Sequence, residues 1–288
     1  ASMTNSGFGF SAPYRNRDRD FKYELSANLS TLRNRVTSLG FGTDSYISGA
    51  YITNVGQEIG QFYGWAYEGI ARTQEDLDNH ATQEGAQIGD CLYKDISGPD
   101  GKPDGKVDAN DQVVLGSGMP KIHFGLNARF EYKRFDLSIA TFGALNYHVS
   151  DDIYNSLNSC YGWGNKEVGM LDANRFSEDG STYLSNVPRT YVTNSASLGW
   201  NDLFSSRKIQ NAAYWKIANV ELGYNFPNEW FGKYVSDVRF YVSAQNLHTF
   251  TGYHGYNVDY AGGTFTPGYN FCSYPTARTF MCGVHFTF

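Results

Sequence analysis

Residues 95–111 read DISGPDGKPDGKVDAND, and aspartate with glycine at such short spacing could hold a cation. Asp100, Asp104, Gly105, Asp108 and Asp111 fit positions 1, 5, 6, 9 and 12 of an EF-type calcium loop. Lys102 falls at position 3, where an oxygen ligand belongs. The chemistry on offer is Ca2+ binding in the loop 95–111; the other reading of the same residues is an Asp/Gly turn cluster in an exposed loop.

A second set is aromatic. Tyr161 and Trp163 in CYGWGN, Trp200 in LGWND, and Tyr253 and Tyr256 in TGYHGY lie in long polar segments. Aromatic faces stack on sugar rings, while their edges and hydroxyls leave polar contacts for ring substituents. Exposed, these five are substrate-contact candidates; the alternative is that they pack loops against one another or against a partner. Catalysis finds little support. The His residues are scattered without HExxH, Gly-x-Ser-x-Gly does not occur, and Glu178 and Asp179 are adjacent with nothing to hold them across a bond. GFGFSA near the start alternates with Phe8 and Phe10 and reads as strand, not phosphate loop.

The elements that position these residues are strands. In ARTFMCGVHFTF, Phe280, Cys282, Val284, Phe286 and Phe288 fall on every second residue, a period that puts one face against something apolar. Phe21, Tyr23, Leu25, Ala27 and Leu29 repeat the pattern, as do Ile122, Phe124, Leu126, Ala128, Phe130 and Tyr132. Phe135 to Tyr147 continues it, then Tyr214, Ala218, Val220, Leu222, Tyr224 and Phe226, with Lys216 interrupting, and Val238 to Ala244. The runs predict strands over 6–14, 19–33, 44–55, 61–72, 121–132, 134–147, 211–226, 236–250 and 276–288. Several reach ten residues or more. Ordinary strands average about 5–6, whereas a tilted membrane-spanning strand needs about 9–11. Short turns at YRNRDRD and Lys133-Arg134 alternate with long loops over roughly 73–120, 148–210 and 251–275, the habit of outer-membrane barrels. Arg129, Glu131, Asn219, Glu221 and Gln245 then face a polar interior.

The 288 residues carry a net charge of −6, which excludes a nucleic-acid partner. Aromatic residues make up 16% of the chain beside 31 glycines, a composition that suits a β-protein with aromatic girdles and equally a carbohydrate-binding one. Cys91, Cys160, Cys272 and Cys282 show no metal-site spacing, and nothing indicates a bridge, Cys160 with Cys272 included. The start, ASMTNSGFGF, holds no signal peptide.

NAAYWKIANVELGYNFP (211–227) resembles a motif in which a Tyr-rich strand ends in Leu-Gly-Tyr-x-x-Pro. VRFYVSAQNLHTFTGYHGYNVD (238–259) resembles its neighbour, Arg-x-Tyr-x-Ser-x-Gln-Asn-Leu-x-Thr. With GQFYGWAYEGI, the segment 93–127 and the terminal YPTARTFMCGVHFTF, these stand in the order found in the carboxyl-terminal region of SusC-like TonB-dependent outer-membrane transporters of Bacteroidetes. The family's Tyr-x-Gly-x-Asp-Pro reads Tyr253-His-Gly-Tyr-Asn-Val-Asp259, so that loop is shifted.

The resemblance implies an all-β chain, an antiparallel transmembrane β-barrel portion with long extracellular loops. It would give about nine strands of a plugged barrel of about 22. Residues 1–288 would be the carboxyl-terminal part of that barrel, with signal peptide, plug and TonB box upstream. The resemblance also implies the outer membrane of a Gram-negative bacterium and active import of an oligosaccharide or oligopeptide, glycan before peptide. The implied partners are a SusD-like lipoprotein lid, the amino-terminal plug and barrel part, the TonB complex and outer-membrane lipid. Nine strands cannot close around a plug, so the strands near 6–14 and 276–288 are expected to pair with strands outside this sequence. Two rivals remain: a secreted, soluble β-sandwich binding carbohydrate, and an outer-membrane barrel enzyme.

Overall fold

The computed structural model describes residues 1–18, 20–40, 42–160, 164–190, 196–231, 235–259 and 262–288. Its centre is a sheet of seven long strands: β1 (Gly9–Asn16), β2 (Phe21–Thr31), β3 (Ile122–Tyr132), β4 (Phe135–Leu145), β5 (Tyr214–Asn225), β6 (Asp237–Thr251) and β7 (Thr279–Thr287). The spatial order is β7-β6-β5-β4-β3-β2-β1, every pair antiparallel. The sheet does not close on itself, since β1 and β7 are its two ends.

Register carries the sequence pattern across the whole sheet. Ala27 faces Leu126 and Ala12, Leu126 faces Thr141, Ile139 faces Val220, Leu222 faces Val242, and Val242 faces Cys282. The apolar residue of each strand therefore meets the apolar residue of the next, which a slip of one position would undo. Leu29, Phe135, Val242, Val284, Phe280 and Phe286 are exposed on this common face. No second sheet covers it among the described residues, and an open apolar face on strands of this length is what the wall of a membrane-spanning barrel turns toward lipid. Where two outward positions hold glycine and phenylalanine, the ring takes the space: a Cβ on Gly143 would lie 2.5 Å from the ring of its partner Phe124.

The opposite face is polar, and Arg129, Glu131, Asn219, Glu221 and Gln245 share it by register. Near the end that carries the short turns, Arg239 bonds Asp136 at 2.5 and 3.0 Å and Glu221 at 2.7 Å. This arrangement explains the Gly of Leu222-Gly223-Tyr224. A Cβ on Gly223 would lie 2.4 Å from both the Arg239 guanidinium and the Asp136 carboxylate.

Lys216 has a geometric explanation. The register of β5 shifts between Ile217 and Asn219 against β6, and at the same level against β4. Ala218 is thus a bulge residue, and a bulge inverts the alternation of the strand beyond it. Below it Val220, Leu222 and Tyr224 face lipid; above it Trp215 and Ile217 do, pairing with Gly143 and Thr141. Trp215 is exposed, while Tyr214 and Lys216 turn inward and are buried. The expected outward Tyr214 is corrected accordingly.

The expected strand count is also corrected. The wall holds seven strands, not nine. The segments 44–55 and 61–72 form short strands outside it: Ser45–Ser48, Tyr51–Asn54 and Gln61–Trp65 join Gln112–Ser117 in a separate sheet, and Tyr67–Ile70 pairs with Cys91–Tyr93. Gly49, at φ 58°, makes the turn that breaks the first of these runs. The first hairpin instead reaches past the wall, because Ser2–Ser6 pairs with Arg33–Ser38. The connections 32–121, 146–213 and 252–278 all leave from that same end of the sheet.

An arginine at the bilayer midplane on a barrel's lipid face costs about 2–4 kcal/mol. Val242→Arg is therefore expected to cut the folded fraction in the outer membrane, read by heat-modifiable migration, whereas Gln245→Arg on the polar face leaves it near normal. Equal tolerance of the two would contradict the assignment of faces.

Candidate functional site

The three long connections fold onto one another. Asp90 is fully buried; Arg189 bonds it at 2.5 and 3.0 Å and the Asn201 amide at 2.8 Å, while Asn201 Oδ1 accepts the Cys91 N–H at 2.7 Å. These bonds tie 71–93 to 189–201. Arg72 adds bonds to the Ser185 and Tyr183 carbonyls and to Asn186, the last at 2.7 Å. Gly64 admits the second connection, since a Cβ there would lie 2.1 Å from the Phe204 carbonyl oxygen. Burial pushes the Cys91 thiol up to about 12 and the Cys160 thiol to about 11, so both stay protonated and inert. All four cysteines are free.

Within this assembly Cys91, Tyr93 and Val107 form a core against which Trp65, Tyr67, Trp200 and Leu203 pack. Trp65 and Trp200 then frame an open cleft of about 610 Å³, with Glu84, Asp108, Ala109 and Leu203 around it. Both indoles are locked. Trp65 Nε1 donates to the Asp108 carbonyl at 3.0 Å and Trp200 Nε1 to the Glu84 carbonyl at 2.9 Å. Their N–H groups are thus used internally, and their ring surfaces are what remains for recognition. Side-chain acceptors come from Glu84 and Asp108. Such a cleft can stack a flat apolar ring face and accept hydrogen bonds from its edge.

Of the aromatic residues expected to contact substrate, Trp200 lies in this cleft, and Tyr256 is exposed at 64%. Tyr161 and Trp163 lie outside the described residues. Tyr253 is a correction: it is buried, donating its hydroxyl to Asp151, and Asn270 Nδ2 bonds both of them at 2.8 and 2.9 Å. It belongs to a cluster with Tyr147, Val149, Ala212, Tyr214 and Val258, and burial first, then the Asp151 bond, raises its phenol. Trp65 was not singled out by the sequence. Its only signal is the motif GQFYGWAYEGI, where it reads as one aromatic among several on a strand.

Within 95–111 the carboxylates of Asp95, Asp104, Asp108 and Asp111 have backbone partners in the structure. Asp111 Oδ1 accepts the N–H groups of Ile96 and Ser97 at 2.7 and 2.9 Å, and Oδ2 that of Asp108 at 2.7 Å. Asp108 takes the Asn110 N–H at 2.7 Å, Asp104 that of Lys106 at 3.0 Å, and Asp95 that of Gly105 at 2.7 Å. Asp100 is exposed in a turn. The carboxylates organise their own backbone, as turn aspartates do. No group of three His, Cys, Asp or Glu residues among those described could hold a metal ion. Gly105 does adopt the positive φ that an EF loop requires at that place, but here it serves a turn.

A fixed point links wall and loops. The inward Lys216 bonds Asp259 at 2.6 Å, with the Lys216 side chain 5% exposed and that of Asp259 28%. Tyr147 donates to the Val258 carbonyl at 3.0 Å beside it. The third connection is thereby held to β5 just above its bulge.

The comparisons agree with this architecture. No protein-family model matches the chain. TonB-dependent receptor P3 of Formosa agariphila is 29% identical over 305 residues, covering 99% of this chain and 29% of the receptor. TonB-dependent receptor SusC of Bacteroides thetaiotaomicron is 24% identical, covering 94% of this chain and 25% of its own length. A solved structure of the RagAB peptide transporter superposes with a TM-score of 0.77 at 21% identity, covering 99% of this chain and 29% of that one. The seven-stranded wall thus has the fold of part of that transporter's barrel, and over nearly its whole length the chain is similar to TonB-dependent receptors, SusC among them, while spanning less than a third of the length of these relatives.

Two outcomes test the loop chemistry. Burial alone would raise the Asp111 carboxyl, but the N–H groups of Ser97, Asp108 and Ile96 together outweigh it and hold it below the ordinary 3.8. Its stabilisation is complete above that value and disappears as pH falls through the lower folded one. Asp111→Asn should speed hydrogen exchange at residues 96, 97 and 108 by roughly ten-fold, since bonds to a charged acceptor contribute about 1.5–3 kcal/mol; added calcium or chelator should leave the wild-type rates unchanged. Asp259→Asn should loosen residues 252–259 by about 1–3 kcal/mol, because it leaves the buried ammonium without its charged acceptor. Lys216→Met in the same chain should restore much of that protection, and a failure to do so would remove the ion pair from the account.

Proposed function

We propose that this chain supplies wall and outer loops to an outer-membrane importer of oligomeric nutrients, in the outer membrane of a Gram-negative bacterium. The observation that carries the reading is the wall: seven antiparallel strands with one shared apolar face, a polar opposite face, and every long connection at one end. A soluble sandwich would need a second sheet against the apolar face, and that face is open among the described residues. A barrel enzyme would need a nucleophile with a base. The cleft offers stacking surfaces and carboxylates without one, and burial holds the Cys91 and Cys160 thiols protonated.

Residues 1–288 act in this reading as the carboxyl-terminal barrel part, completed by an amino-terminal plug and further strands. A SusD-like lipoprotein closes over the loop-bearing, extracellular end. Substrate is held between lid, loops and plug, and the TonB complex, pulling on the amino-terminal segment, displaces the plug. Glycan is the preferred substrate class. The locked indole faces of Trp65 and Trp200 match a sugar ring, and their acceptor-rich surround matches its hydroxyls. Oligopeptide is the second reading, favoured by the likeness to a structure described as a peptide transporter.

The test is binding of neutral oligosaccharides and of oligopeptides to the membrane-extracted protein with its lipoprotein partner. Trp200→Ala and Trp65→Ala are each expected to weaken the preferred ligand roughly ten-fold or more, in line with about 1–3 kcal/mol for stacking on an aromatic side chain. Loss of peptide binding alone would decide for the second reading. Unchanged binding of both classes would remove the cleft from the import path.

A further inference from the structure

The alternation of the first hairpin does not stop where the wall does. On its outward face the sequence runs Tyr14, Ala12, Phe10, Phe8, Ser6 and Thr4 along one strand, and Leu25, Ala27, Leu29, Thr31, Arg33 and Arg35 along the other. Phe10 pairs with Leu29, Ser6 with Arg33, and Thr4 with Arg35. Asn34 and Val36 take the other face and are buried, Asn34 bonding Asn5 at 2.6 Å and the Ile59 N–H at 3.0 Å. Both arginines are thus pinned to the lipid-facing side by the register of their own strand.

Their height is set by the same register. Arg33 lies four residues beyond Leu29, about 13 Å further along the strand. The apolar stripe ends there, and two arginines whose Cα atoms are about 7 Å apart begin. They share a surface pocket of about 470 Å³ with Thr4, Ser6, Val36, Thr37, Val55 and Gly56. Several other arginines are spent on carboxylates, among them Arg17 on Glu24, Arg129 on Glu131, Arg189 on Asp90 and Arg239 on Asp136. The Arg33 and Arg35 side chains enter no ion pair or hydrogen bond among the described residues, and both residues are exposed. Two like charges held side by side favour an anion between them, and a guanidinium fork matches phosphate geometry with two parallel bonds.

We infer that Arg33 and Arg35, with the Thr4 and Ser6 hydroxyls, bind the phosphate of a phosphorylated glycolipid headgroup in the outer leaflet. The inference goes beyond substrate import and rests on the proposed outer-membrane placement of the wall, with its apolar face toward lipid and its loop-bearing end extracellular. The Arg33, Arg35, Thr4 and Ser6 side chains are on the lipid side of the hairpin by register. Their ligand is therefore a component of the membrane and not a nutrient in the lumen. The bond would fasten the first hairpin to the surrounding leaflet at the level where its strands leave the hydrocarbon.

The experiment uses the membrane-extracted protein with its lipoprotein partner, in nonionic detergent. Its binding is compared for mixed micelles of bisphosphorylated lipid A, for micelles of the same lipid after dephosphorylation, and for inorganic phosphate at equal phosphate concentration. The wild type should bind the phosphorylated lipid at least about ten-fold more tightly than the dephosphorylated one, the scale of one charge-assisted bond. Arg33→Ala with Arg35→Ala should abolish that preference while heat-modifiable migration and nutrient binding stay normal; Arg33→Lys with Arg35→Lys should keep part of it. If the alanine variant fails to fold, the wild-type lipids and the lysine variant still decide. Equal binding of the two lipids, or of wild type and alanine variant, would overturn the proposal. So would displacement of the lipid by equimolar inorganic phosphate, which would mark a free-anion site. Nutrient binding read in the same preparation tells failure of the import reading from failure of this one.

Discussion

Everything in this chain depends on one constraint: a backbone N–H or C=O in hydrocarbon must find its partner in the protein, because no water is there to replace it. The seven long strands meet it through continuous antiparallel ladders. Once the ladder is fixed, side chains alternate without choice, and one face must be apolar from edge to edge. That requirement explains why Ala12, Ala27, Leu126, Thr141, Ile217 and Val220 are small or apolar although they come from separate segments. It also explains why irregularities are few and local. The bulge at Ala218 costs ladder bonds, and it lies toward the loop-bearing end, where the inward Lys216 meets Asp259.

Outside the hydrocarbon the same accounting is met differently. The loop assembly has little regular ladder, so its backbone groups are taken up by side chains. Asp90, Asn201, Asp151, Asn270 and Asp111 are all buried, and each bonds groups from distant segments or from its own turn. Buried polar groups of this kind specify one arrangement when fully satisfied. A cleft built on that assembly is therefore held in shape before a ligand arrives. The two indoles show this directly, since each ring is oriented by a bond to a carbonyl across the cleft wall.

The wall was legible in the sequence because period-two patterning is a local signal, and each strand reports its own faces. Phe280 to Phe288 and Ile122 to Tyr132 could be read without knowing any neighbour. The segment 44–72 was misread for the same reason: its alternation is real, but Gly49 folds it into a hairpin packed among the loops. Lys216 looked like a flaw in a stripe because a bulge is defined by the partner strand, which the sequence of β5 does not contain. The surroundings of Tyr253 and of the acidic loop are set by residues far along the chain. Whether a tyrosine is exposed, or a carboxylate free for a cation, depends on Asp151, Asn270 and the N–H groups of Ile96 and Ser97, none of which spacing can pair.

The charge pattern of the cleft narrows what can occupy it. With both indole N–H groups committed to carbonyls, its lining side chains present ring faces, the aliphatic surface of Leu203, and the acceptors of Glu84 and Asp108. Asp108 is already oriented by the Asn110 N–H, so its remaining lone pairs point at a fixed direction. A ligand must therefore bring donors and a flat apolar face. A neutral sugar ring satisfies both, as does a cationic or aromatic peptide side chain. A sulfated or uronic-acid ring brings anionic oxygens toward two carboxylates, and like charges at such separations repel in a partly desolvated site. In the proposed import role, this cleft would discriminate against acidic oligomers first, and only then between glycan and peptide. That order follows from the capped indoles: had either N–H been free, the cleft would have offered a donor and admitted acceptors as well.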